Sequence, residues 1–168
     1  WLAISIAFSL DFSGGIGVWM GSPLKEISLG EYLLYFILSM VTVGVGFVLH
    51  ELAHKFTAMH YGYWAEFRKD NLMLLVAVVL AALVGVVFAA PGATLIYGAG
   101  VTREQNGKIS AAGPVTNLLL CIPFAFLLAL VAWLGITTWW GQLLTLTGMV
   151  GLQVNAMIAS FNMLPVSV

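Results

Sequence analysis

Charge is scarce in this sequence: 8% of its 168 residues are charged, six basic and seven acidic, while 61% are hydrophobic. An ordinary soluble domain carries about 25% charged residues. So few charges cannot cover the surface of a water-soluble fold of this size, and the long apolar runs point to lipid as the main solvent. A formal net charge of -1 gives no reason to expect a nucleic-acid partner. Cysteine is nearly absent. Cys121, alone in an apolar run, excludes an internal disulfide and a cysteine-built structural metal site, and reads as a small packed side chain. Aspartate is missing after Asp70, and Glu104 is the only later carboxylate. No internal repeat or low-complexity segment is present. The sequence opens at Trp1 inside a hydrophobic run and closes at Val168, and reads as a segment of a longer protein; signal-peptide reasoning does not apply to such a start.

What is there is a series of apolar runs. They predict an all-α polytopic membrane protein, a single membrane-embedded core with about four to five transmembrane helices and a short re-entrant or membrane-associated β segment. Residues 1–10 read as the end of a first transmembrane helix. A polar, glycine-containing connection follows over 11–31, ending in a possible capping box of Ser28 and Glu31. The second helix covers 32–61, with Gly44 and Gly46 suited to close approach of a neighbouring helix. Residues 71–90 form an apolar helix, crossing or re-entrant, stopped by Pro91. Residues 93–97 are rich in β-formers and read as a strand. A polar loop over 101–110 leads to transmembrane helices at 111–134 and 139–162, with Trp133, Trp139 and Trp140 at one interface. Lys55, Arg68, Lys69, Arg103 and Lys108 follow the second helix, against Lys25 alone on the opposite side. The positive-inside rule puts the former toward the cytoplasm. If 71–90 crosses fully, Arg103 and Lys108 fall outside, unless 91–100 returns through the protein as extended chain lining a wet cavity.

The chemistry lies in His50-Glu51-Leu52-Ala53-His54. Residues four apart lie on one face of a helix, one turn apart, so two imidazoles can hold one zinc ion. Glu51 can then activate water as a general base. The alternative is a helix end rising into the headgroups. Three ionisable groups within five residues of a long apolar run favour the functional reading, because such groups are costly in lipid. His60 stands where a metzincin has its third histidine, but Thr57 replaces the glycine that lets that chain turn back. It reads as an interfacial histidine, off the face of His50 and His54. Asn117 and Asn155, inside apolar helices, read as interhelical hydrogen-bond partners. Gly113 and Pro114 suit a helix start.

Three blocks in order resemble the site-2 protease family of intramembrane zinc metalloproteases: His50 to His54, Gly113-Pro114-Val115-Thr116-Asn117, and Phe161-Asn162-Met163-Leu164-Pro165. The last resembles the start of an Asn-x-x-Pro-x-x-x-Leu-Asp-Gly signature. The resemblance spans about residues 32–168 and implies hydrolysis of peptide bonds in transmembrane protein substrates, within a lipid bilayer, by a Zn2+ enzyme of the cell membrane. It implies His50 and His54 as ligands, with the signature aspartate as third ligand two positions beyond Val168. It also lends Asn162 an oxyanion-stabilising role; a helix-terminating Asn before Pro165 is the competing reading. Ala93, Thr94, Leu95, Ile96 and Tyr97 are the candidate substrate-binding strand, since a protease needs its substrate extended and an edge strand offers main-chain pairing. A loop tucked against the helices competes with that. A catalytically inactive relative that binds membrane helices as a chaperone or adaptor is the first rival. A metal transporter ranks last, because it needs polar residues along a path through successive helices. Oligomeric state is not encoded legibly.

Overall fold

Two Schellman turns and two capping boxes delimit the helices of this protein, whose computed structural model describes residues 1–12, 28–84, 92–98 and 100–163. The order is α1 (Leu2–Phe12), α2 (Leu29–Ser39), a π-helical turn (Met40–Gly44), α3 (Val45–His60), β1 (Trp64–Lys69), α4 (Asn71–Val84), β2 (Gly92–Tyr97), α5 (Arg103–Leu134) and α6 (Trp139–Met163). The fold is mostly helical, with one two-stranded sheet, β1 beside β2, among the described residues. Among the described residues, three helices are long and apolar enough to cross a membrane: Leu29–His60, Arg103–Leu134 and Trp139–Met163. The first two have 32 residues each, roughly 48 Å at about 1.5 Å per residue, against a hydrocarbon core of about 30 Å. Over their described residues α1 and α4 are shorter, at 11 and 14. The remainder of the apolar run 71–90, with Pro91, lies outside the described residues, as do most of the polar connection 11–31 and Leu164 and Pro165.

By contacts the chain divides into two compact units. The first comprises residues 1–45 and 67–95. Here α1 packs on α4 through Ala7, Ala77 and Ala81, flanked by Leu10 and Val78. Side chains this small let two backbones approach closely. The capping box forms as the sequence leads one to expect. Glu31 N–H donates to Ser28 Oγ (3.2 Å) and Ser28 N–H to Glu31 Oε2 (2.9 Å), so α2 begins at Leu29. The π-helical turn is not expected from the sequence. Thr42 Oγ1 donates to Leu38 O (2.7 Å) and the Trp1 indole N–H to Met40 O (3.4 Å). Trp1 also lies over Gly44, where any Cβ would meet its ring.

The second unit comprises residues 46–66 and 96–168. Helix α3 ends in a Schellman motif: Gly62 takes φ 82°, Tyr63 N–H donates to Ala58 O (3.1 Å) and Gly62 N–H to Met59 O (2.9 Å). The chain then folds back, burying Ala58, Ala65 and Ile109 with Tyr61, Tyr63 and Ile96 around them. Helix α5 starts earlier than a loop over 101–110 allows. Thr102 Oγ1 accepts from Gln105 N–H (3.2 Å), and Gln105 Oε1 accepts from Thr102 N–H (3.0 Å). This capping box and the Glu104–Lys108 pair make the polar stretch the first turns of the helix. Gly113 and Pro114 are therefore inside α5 and do not begin it. Gly135, at φ 60°, closes α5 with Ile136 N–H donating to Val131 O (3.4 Å). Helix α6 returns against α5, with Gly148 fitted to Leu128 and Gly151 to the Phe124 ring. Apolar side chains such as Leu119, Ile122 and Phe126 face outward, a surface suited to lipid and unsuited to water. Trp133, Trp139 and Trp140 are exposed as well.

Candidate metal centre

His50 and His54 project from one face of α3. His50 is 3% exposed and His54 is half-buried. Their rings stand edge to face, with centroids 4.7 Å apart and planes at 81°, and their Nε2 atoms are 3.1 Å apart. Two imidazoles on one tetrahedral zinc, with Zn–N of about 2.0–2.1 Å, bring their nitrogens to roughly 3.3 Å.

The other ring nitrogens identify the tautomers. His54 Nδ1 lies 2.7 Å from Ile109 O. A carbonyl only accepts, so this nitrogen carries the proton. His50 Nδ1 meets Asn117 Oδ1, again an acceptor. A neutral imidazole has one N–H, so both Nε2 atoms present lone pairs to each other. Such a pair repels unless a cation stands between them, and an outer acceptor on each Nδ1 is the usual way a metal-binding histidine is oriented. The facing wall is α5 at Gly113. A Cβ there would stand 2.6 Å from His50 Nε2 and would also overlap His54 Nε2. The close approach of α5 to both Nε2 atoms therefore requires that residue 113 have no side chain. These residues fit a divalent cation such as zinc. Among the described residues no group of three or more His, Cys, Asp or Glu side chains is placed to hold a metal; the two histidines offer two nitrogen donors.

Glu51 follows His50 on α3 and is half-buried. His60 is exposed at the end of α3, its ring edge-on to Tyr61 with centroids 5.4 Å apart, and takes no part in the pair. Asn162 is exposed near the end of α6, where its Nδ2 donates to Ile158 O of its own helix (2.8 Å). Ala93 to Tyr97 lie in β2, whose burial alternates along the strand. Gly92 is packed on Arg68 O and the Lys69 Cα, while Ile96 joins the cluster of Ala65, so β2 runs antiparallel to β1.

Sequence reasoning passed over Gly113 and Ile109 as parts of the site, and treated Asn117 as a general interhelical partner. A usable signal was there: Gly113 and Asn117 repeat on α5 the four-residue spacing of His50 and His54.

No family model matches the chain, and no solved structure matches it significantly. The chain is similar to a curated protein of Methanocaldococcus jannaschii named "Putative zinc metalloprotease MJ0611", with 42% identity over 134 residues. The match covers 80% of this chain and 66% of that relative, just under two thirds of its length.

Proposed function

The chain belongs to the site-2-protease-like family of zinc metalloproteases, and from that premise we propose that it is the core of an intramembrane zinc endopeptidase cleaving transmembrane segments of membrane proteins. The observation that carries this reading is the convergence of two Nε2 atoms, 3.1 Å apart, against the bare backbone of Gly113.

His50 and His54 would hold the metal, each aligned by its Nδ1 acceptor. A zinc ion there would supply Lewis acidity, polarising the scissile carbonyl and making water a competent nucleophile near neutral pH. A Glu51 carboxylate oxygen takes the proton from the attacking water and passes it to the leaving amine nitrogen. Asn162 would exchange its bond to Ile158 O for the developing oxyanion. The substrate segment would unwind and pair with Ala93 to Tyr97 of β2, since each strand of a two-stranded sheet has one side without a strand neighbour. The placement that goes with this reading is a multi-pass protein of the cell membrane, with α1 and α4 belonging to further membrane segments, four to five in all. Five basic residues follow the histidine pair (Lys55, Arg68, Lys69, Arg103 and Lys108), which favours a catalytic site toward the cytoplasm.

The test is metal content and cleavage measured together on the full-length protein in proteoliposomes, with a single-span membrane protein as substrate. One zinc per chain and cleavage within the span are expected. Removing zinc with a chelator should abolish cleavage, and returning it should restore activity. His54→Ala should lower zinc affinity by more than the ~10–100-fold cost of losing an outer partner, and cleavage should vanish with the metal. Unchanged zinc occupancy in that variant would remove His54 from the ligand set. A metal-loaded wild type that binds membrane helices without cutting them would make the protein an adaptor.

A further inference from the structure

Three helices each carry a pair of residues four apart: His50 and His54 on α3, Gly113 and Asn117 on α5, Gly151 and Asn155 on α6. Gly113 lies against both Nε2 atoms, and Asn117 bonds to His50 Nδ1. Asn155 is 0% exposed, and its amide is tied at both ends. Asn155 Nδ2 donates to Gly151 O of its own helix (2.8 Å), and Asn155 Oδ1 accepts from Asn117 Nδ2 (2.7 Å). Asn117, also 0% exposed, offers Nδ2 in addition to Gly46 O (3.4 Å) and turns Oδ1 to His50 Nδ1.

This chain has one consistent polarity. Turning the Asn155 amide over would set N–H against N–H at Asn117 and oxygen against the Gly151 carbonyl. Turning the Asn117 amide over would set its oxygen against Asn155 Oδ1 and Gly46 O. Each reversal leaves buried polar groups without partners, at a cost of about 1–3 kcal/mol per group. With Asn155 in place, Asn117 Oδ1 can only face His50, and His50 must carry its proton on Nδ1. Without Asn155 the Asn117 amide loses its main reason not to rotate. A rotated Asn117 presents N–H to His50 Nδ1, which moves the histidine proton to Nε2 and removes the lone pair that would bind metal. Close approach of α6 to α3 is also built for this residue: a Cβ at Gly46 would collide with the Asn155 amide, 3.2 Å from its Cγ.

We propose that Asn155, which touches neither the metal position nor a histidine, is a positioning residue that sets the tautomer of His50 through Asn117. The idea rests on the zinc reading of the site for its purpose, but its mechanism can be read without metal.

The experiment uses the full-length protein in detergent and three variants: Asn155→Leu, of similar size without an acceptor; Asn155→Ala, which removes the acceptor with a smaller side chain; and Asn155→Asp, which keeps an oxygen for Asn117 Nδ2. Histidine 15N chemical shifts of the zinc-free protein report the tautomer, the His50 signal being assigned by its loss in His50→Gln. Zinc affinity is measured against a competing chelator. Wild type is expected to show His50 protonated on Nδ1. Asn155→Leu, or Asn155→Ala should the leucine variant not fold, is expected to show the Nε2-protonated form and a zinc affinity lower by about 10–100-fold. Asn155→Asp should recover most of both. A folded leucine or alanine variant that keeps the Nδ1 proton and wild-type zinc affinity would overturn the proposal, as would an aspartate variant no better than leucine. A purely structural role would move the melting temperature and leave the tautomer alone, which also counts against it. The two readings separate cleanly. If wild-type His50 has the expected tautomer and zinc does not bind, the protease reading fails and the relay stands. If zinc binds wild type and leucine variant alike, the relay fails and the protease reading stands.

Discussion

A Glu51→Gln variant should keep its zinc and lose cleavage by about 10²–10⁴-fold, the contribution typical of a positioned general base. Glutamine has nearly the size of glutamate and a similar helix propensity, so α3 should continue unchanged through His50 and His54. The Nδ1 partners of both histidines, Asn117 Oδ1 and Ile109 O, belong to α5 and are untouched. What is lost is a carboxylate one residue from His50, the group available to accept a proton from water. The measurement is single-turnover cleavage of a single-span substrate, with zinc counted on the same sample. Turnover within a few-fold of wild type would end the assignment of Glu51 as base. Loss of zinc would instead make it part of the metal-holding structure.

Gly113→Ala should exclude the metal without unfolding the protein. In a helix interior alanine is favoured over glycine by about 1 kcal/mol, so α5 itself should gain from the change. The added methyl, however, would collide with both Nε2 atoms, 2.6 Å from that of His50. Relief requires the rings to turn away, which breaks their Nδ1 contacts to Asn117 and Ile109. The expected result is a well-folded protein with zinc occupancy near zero and no cleavage. Circular dichroism of the zinc-free protein should match wild type, while its melting temperature should fall, because the broken Nδ1 contacts cost about 1–3 kcal/mol per buried group against about 1 kcal/mol gained by the helix. Full zinc occupancy in this variant would mean that the ion sits elsewhere. The contrast with His54→Ala is useful, because that change deletes a ligand whereas this one deletes no polar atom.

Much of this architecture is legible in the sequence, and the parts that are not have a common physical reason. Apolar runs and the Ser28–Glu31 box are local signals, set by side chains within a few residues of one another. The same is true of the one-turn spacing that puts His50 beside His54. Thr102 and Gln105 carry an equally local signal for the start of α5, which the reading of 101–110 as a polar loop passed over. The π-helical turn at Met40–Gly44 has a hydrogen-bond partner in Trp1, nearly forty residues away in sequence. The histidine partners depend on which faces of α5 and α6 turn inward. A lone asparagine in an apolar helix announces a hydrogen bond but not its recipient. Gly113 was legible as a small residue and illegible as a close approach, because the ring nitrogens it meets come from another helix.

The connection between α5 and α6 is short, running from Gly135 to Thr138. Asn117 and Asn155 stand at nearly equal removes from it along the two arms. The hairpin thus works as a calliper whose pivot sets where its tips meet. A residue gained or lost within one arm, between the bend and its asparagine, would shift that asparagine by about 1.5 Å along the helix and turn it by roughly 100°, opening the grip of one amide on the next. Each arm is therefore constrained in length even where it is free in composition.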